Sequence, residues 1–248
     1  MPPPNEGPAS VSRTLSKSDF LLARDCAAKL YFRENGYPDK RDGNAYLRLL
    51  AEGGYMVEAL AKARYPDGVP LDHGGDLTTD FARTMEALEA SDVTLFDATL
   101  LVGRRQARID ILVKRGNVLR IIEVKAKSFD GAAHARQLAQ GQSGAFRGSR
   151  RPYRILADWD KALADATYQV VLLELCMPGR SIQPALGLVD TSKSAGLDDV
   201  LSWTAISLES ELQWKRDMRA HDGARGGLPR SVARITKRKP NDCSAAQS

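Results

Sequence analysis

Two short apolar stretches, 107–113 and 118–126, are joined through Gly116 and Asn117, and no other feature limits the possible fold so tightly. Gly and Asn tolerate the positive φ of two-residue turns, so Gly-Asn between β-type runs predicts a hairpin. Folded there, Arg115 opposes Val118, Val113 opposes Arg120, and Asp110 falls opposite Glu123. Alternation puts Lys125 on the same face as Glu123. Ile109, Ile111, Ile122 and Val124 are then expected on one face, with Leu112, Leu119 and Ile121 on the other beside the two acids. Strands apolar on both faces belong in the middle of a sheet. Directly opposed Cβ atoms lie about 4.5–5.5 Å apart, a distance at which like charges repel. Two carboxylates buried so close need a compensating partner. A divalent cation is the simplest one, and hard oxygen ligands suit Mg²⁺ or Mn²⁺. The bland alternative is a sheet-edge cluster in which Asp110, Glu123 and Lys125 pair with Arg108 or with one another. Placement across a Gly-Asn turn, inside apolar strands, favours the metal.

Around this hairpin the chain of 248 residues is 43% hydrophobic, enough for one substantial core. Residues 1–13 read as a disordered leader, 14–222 as one folded domain, and 223–248 as a basic flexible tail. Ser16 and Asp19 form a capping-box variant that opens a helix expected to run to about Phe32. Further helices are expected over 45–65, 78–90, 132–140, 158–174 and 208–219, and further strands over 93–102 and 182–189. That order predicts an α/β domain with a mixed central sheet flanked by helices. No run of 18 uncharged apolar residues exists, so no membrane span is expected, and the N-terminus carries no secretory signal. Three scattered cysteines without a CxxC fit a reducing cytoplasm.

Charge is unevenly spread. From Gln213 onward there are nine Lys/Arg against three Asp/Glu, while the other 212 residues hold 27 basic and 28 acidic side chains. A near-neutral body with a basic arm suits a polyanion partner or a solubilising end. Arg147, Arg150, Arg151 and Arg154, interleaved with Phe146 and Tyr153, read either as a phosphate-tracking loop or as a solvated one. Arg104 and Arg105 lead into the strand that carries Asp110 and add to the basic surface expected there. No Gly-rich phosphate loop or nucleophile elbow is present, which ranks a small-molecule enzyme last.

Three segments resemble the PD-(D/E)xK phosphodiesterases, specifically their RecB-like branch: Ala107-Arg108-Ile109-Asp110, Ile122-Glu123-Val124-Lys125, and Asp165 through Gln169. The opening Leu15-Ser16-Lys17-Ser18-Asp19-Phe20, Cys26, and the run Gly54 to Glu58 are similar to a set of largely uncharacterised bacterial proteins of that branch. The resemblance implies a restriction-endonuclease-like core and metal-dependent hydrolysis of phosphodiester bonds, with DNA favoured, in DNA processing or defence. It implies that Asp110 and Glu123 bind metal, that Lys125 assists hydrolysis, and that Gln169 orients the site or touches substrate. Many relatives carry a metal-binding His where Glu58 stands, and Glu58 is read either as a replacement ligand or as a plain surface residue. Some relatives hold an iron–sulfur cluster on four cysteines; three cannot supply four thiolates, so no cluster is expected. No helicase or ATPase motif is visible, so translocation or targeting would come from a protein partner. The runner-up is an inactive nuclease-fold module that binds nucleic acid, or a subunit of a larger complex.

Overall fold

The computed structural model describes residues 14–39, 43–71, 73–142 and 157–193, with the backbone of 201–205. The leader, the tail, the arginines of 147–154 and the helix expected over 208–219 lie outside the described residues.

The hairpin forms in the register its turn dictates. Strand β3 (Arg105–Arg115) pairs antiparallel with β4 (Val118–Phe129), with Arg115 opposite Val118 and Val113 opposite Arg120. Gly116 takes the positive φ, 53°, and Asn117 does not share it, the pattern of a Gly-first turn. Strand β2 (Asp92–Val102) flanks β3, and a two-residue strand β1 (Val69–Pro70) runs parallel to β2. On the other side β5 (Ser181–Asp190) lies parallel to β4, and β6 (Leu201–Ala205) closes that edge antiparallel. Among the described residues the sheet is thus mixed, six-stranded and in sequence order. Neither β1 nor β6 was expected, because each is too short to show an alternating pattern.

Helices cover both faces. The parallel β4–β5 step requires a crossover, supplied by α5 (Gly131–Ala139) and α6 (Ala157–Cys176). Helix α6 is buried nearly all round from Trp159 to Leu173, which explains its Ala- and Leu-rich sequence. It seats Leu163, Val170 and Leu173 in a core with Leu112, Leu119, Ile121 and Leu186. Helix α4 (Leu77–Ala87) packs on that core too, through Met85 and its C-cap residue Leu88. Helix α3 (Ala45–Ala63) covers the opposite face, where Val57 and Ala61 meet Ile111, Val113, Ile122 and Val124. The single helix expected from Ser16 to Phe32 is two, α1 (Lys17–Asp25) and α2 (Ala27–Glu34). Cys26 is extended (φ −158°, ψ 120°) and folds α2 back so that Arg33 pairs with the buried Asp19.

One expectation about the strand faces is corrected. Ile109 joins the α6-side core with Ala98 and Leu100, whereas Ile111 joins the α3-side cluster with Phe96. Alternation should put Ile109 and Ile111 on one face. The break coincides with Asp97, which has φ 59°, alone in that region among the described non-glycine residues. Phe96 pairs with Ile111 and Ala98 with Ile109, so Asp97 and Asp110 face each other across the step where both strands reset their pleat. A left-handed non-glycine residue costs on the order of 1 kcal/mol, and such strain gathers at functional sites.

A buried lysine braces the hairpin from outside the site. Lys114 is 4% exposed, and its ammonium donates to the carbonyls of Leu88 and Ala90, each at 2.7 Å, just past the end of α4. Substituting Met keeps the stem and removes both charge-assisted bonds. Lys114→Met is expected to lower stability by about 2–3 kcal/mol, seen as an earlier urea midpoint with an unchanged slope. An unchanged midpoint would show that these carbonyls gain nothing from the ammonium.

Candidate active site

Backbone pairing between β3 and β4 is recorded up to Ile111–Ile122, and the next step along the strands holds Asp110 and Glu123. There the Asp110 carboxylate, instead of a ladder carbonyl, accepts the Val124 N–H at 2.7 Å. Beyond this point β4 follows β5, with a register shift between Lys125 and Ser128. The strands therefore leave the two acids together where their pairing ends, with Lys125 on the Glu123 side as alternation requires.

Glu123 is 1% exposed and fully engaged. Its Oε1 accepts from the Lys125 ammonium at 2.7 Å and from the Lys17 ammonium at 2.6 Å, and its Oε2 accepts from the Gln169 amide. Lys125 also donates to Asp165 Oδ2 at 2.7 Å. Asp165 and Gln169 are one turn apart on α6, so both face β4. The structure thus brings Asp110, Glu123, Lys125 and Gln169 together. It adds Asp165, which the sequence shows only as the start of the segment ending at Gln169, and Lys17, which the sequence shows only within the capped opening of its helix.

The charges distribute unevenly. Burial, then the neighbouring Glu123 charge, pushes the Asp110 carboxyl up to about 7, against the pull of Lys17 and the Val124 N–H. Burial works the same way on Glu123, but the charges of Lys125 and Lys17 outweigh it and hold that carboxyl below its ordinary value. Burial would lower Lys125, yet Glu123 and Asp165 together raise it, so it remains an ammonium. Asp165 is raised, its burial outweighing the nearby lysines. Asp110 is therefore a readily protonated acid beside a Glu123 held as carboxylate and a Lys125 held as ammonium.

On the α3 side, Lys62 bridges Glu58 and Asp97, each at 2.6 Å. Glu58 is half-buried and near enough for its charge to be felt at Asp110. Its direct partner is nonetheless Lys62. Arg104 follows Gly103 in the β2–β3 turn and Arg105 opens β3; the Arg104 carbonyl accepts from Leu15 N–H at 2.6 Å, and Gln106 N–H donates to the Leu15 carbonyl at 2.9 Å.

Among the described residues no group of three or more His, Cys, Asp or Glu has the geometry of a metal cage. What is present is a pair of carboxylates, Asp110 and Glu123, with two buried acceptor oxygens beside them, Gln169 Oε1 and Asp165 Oδ1, that have no hydrogen-bond partner. Two carboxylates with waters and substrate oxygens completing the shell is how Mg²⁺ is usually held, so the residues fit such an ion.

No family model matches the chain, and no curated protein matches it. Three solved structures are similar in outline. An alkaline exonuclease from Laribacter hongkongensis is 13% identical over 90% of this chain and 91% of its own, with a TM-score of 0.39. The same exonuclease in complex with dAMP is 13% identical over 82% and 83%, with a TM-score of 0.37. A candidate exonuclease from Eubacterium rectale is 11% identical over 90% and 81%, with a TM-score of 0.43. At such scores the likeness lends no residue a role. No helix among the described residues is long and apolar enough to cross a membrane.

Proposed function

We propose that the chain is a Mg²⁺- or Mn²⁺-dependent phosphodiesterase acting on nucleic acid, DNA favoured, in the cytoplasm. The observation that carries this reading is the Lys125 ammonium held between Glu123 and Asp165, beside an Asp110 whose charge the site disfavours. Asp110 and Glu123 would hold the ion, which when bound supplies an activated water and neutralises charge on the scissile phosphate. Gln169 fixes the Glu123 carboxylate from behind, and Asp165 aims Lys125. Lys125 then stands within reach of a water or a developing oxyanion and is charged at every working pH. Arg104 and Arg105, with Arg147, Arg150, Arg151 and Arg154, would track the backbone, adding affinity without sequence choice. Glu58 joins the shell only where Lys62 gives it up.

The test is incubation of the purified chain with linear DNA, circular DNA and RNA under Mg²⁺, Mn²⁺ or EDTA, beside Lys125→Ala. Cleavage is expected with metal, absent with EDTA, and lower by roughly 10²-fold or more in the variant. A second reading has its own support: two ammonium groups already pair with Glu123, and Lys62 already holds Glu58, so neither of these acids needs a metal for its charge. Nucleic-acid binding with no cleavage under any metal would select that inactive module.

Acidity gives a further expectation. Because Asp110 must lose a proton to hold a cation, Mn²⁺ affinity should fall about tenfold per pH unit below about 7. Titration calorimetry at pH 6 and pH 8 in buffers of different ionisation enthalpy should show about one proton released per ion at the lower pH. Equal affinity at both values would mean that Asp110 is not a ligand.

A further inference from the structure

Glu123 Oε1 receives two ammonium groups, from Lys125 and Lys17. Lys125 has a second acidic partner in Asp165, at 2.7 Å. Lys17 has none besides Glu123 among the described residues, and its side chain is 22% exposed. Its position is built, not incidental. Leu15 is hydrogen-bonded on both sides to the β2–β3 turn, and the Tyr168 hydroxyl donates to the Leu15 carbonyl at 2.9 Å. Phe20 stacks on Tyr168 at 5.0 Å, Ser16 and Asp19 close a capping box, and Arg24 pairs with Asp160 at 2.7 Å. These contacts fix α1 against the end of β2, the start of β3 and α6, and α1 so held places the Lys17 ammonium on the buried acid.

Charge counting decides what Lys17 does. Without a cation, Lys17 and Lys125 offset Glu123 and Asp165. A dication shared by Asp110 and Glu123 would balance those two carboxylates and leave Lys125 on Asp165, so the charge of Lys17 would be uncompensated at the solvent side of the site. The natural partner for a lone ammonium there is a phosphate oxygen. We propose that Lys17 holds the place of the cation on Glu123 in the metal-free protein and turns to a non-bridging phosphate oxygen of the nucleic acid when metal takes Glu123. This rests on the phosphodiesterase reading and adds a substrate contact from outside the two strands and α6.

The experiment compares the full chain with Lys17→Met, Lys17→Gln and Lys17→Arg, using Mn²⁺ alone in calorimetry and a linear duplex in a salt titration. Removing the competing ammonium should tighten Mn²⁺ binding by about fivefold or more in the Met and Gln variants. The same variants should lose about one unit of slope in log affinity against log salt for DNA, one phosphate contact's worth. Lys17→Arg keeps the charge and should retain the wild-type slope. A purely structural lysine would weaken Mn²⁺ binding or leave it unchanged, and would not move the slope; either result overturns the proposal. Met and Gln are good helix formers at a partly exposed position, so melting curves near wild type are expected for both. A wild-type chain that neither binds Mn²⁺ nor cleaves overturns both readings. One that does both while Lys17→Met matches it in affinity and slope overturns the role of Lys17 alone.

Discussion

Asp110→Asn is expected to abolish cleavage and, at pH 8, to raise the melting temperature. The folded carboxyl sits at about 7 against an ordinary 3.8. Between those values the native state holds a proton that the unfolded chain has released, so stability falls as pH rises through 7. At pH 8 the native protein carries a charge its surroundings disfavour, and Asn removes that charge. The Asn oxygen can still accept the Val124 N–H, and its amide donors can face Glu123 without repulsion. The gain should be on the order of 1–3 kcal/mol, or several degrees in melting temperature, and should vanish near pH 4. On the proposed mechanism cleavage should fall by roughly 10³-fold or more, because a carboxylate that would compensate the metal's charge is gone. Melting curves at pH 4 and pH 8 with a cleavage assay suffice. A variant that melts earlier at pH 8, or still cleaves, contradicts this account of the acid.

Glu123→Gln should also stop cleavage, but with the opposite effect on stability. Glu123 is charged, buried and bonded to three donors, and its carboxyl lies below its ordinary value. Its ionised form therefore supports the fold. A Gln in its place points amide protons at donors and leaves Lys125 with Asp165 alone. Breaking one member of a buried ionic network costs about 3–5 kcal/mol; Lys17 can turn to water, which argues for the lower end. Urea unfolding of both variants in metal-free buffer measures the contrast. Equal stabilities would mean that the two acids are not in different electrostatic settings.

Much of this was legible from a two-residue turn. Gly116 and Asn117 set the register, the register put Asp110 beside Glu123, and alternation put Lys125 with Glu123. The spacing of Asp165 and Gln169 followed from helix geometry once α6 was recognised. Other features had no local signature. Ile109 faces away from Ile111 at the step opposite Asp97, whose backbone is left-handed, and nothing in the surrounding sequence announces that. Lys17 stands in a capped helix start like many others, and only tertiary contacts bring it to Glu123. Likewise the break at Cys26 serves the pairing of Arg33 with Asp19, a contact across a fold-back that periodicity does not encode. Lys114 lies just past the apolar run 107–113, and nothing local shows that it holds the carbonyls of Leu88 and Ala90, more than twenty residues away.

The pinning of α1 has a consequence for synthesis. Lys17 and Glu123 are 106 residues apart, and Leu15 and Tyr168 are 153 apart. Closing loops of that size is slow compared with forming a hairpin. A nascent chain emerging from the ribosome can build the β3–β4 hairpin early, but it has neither the Gln169 clamp nor the Tyr168 dock until α6 has been translated. The proposed chemistry therefore cannot be assembled from the first half of the chain and matures only when α6 joins the sheet.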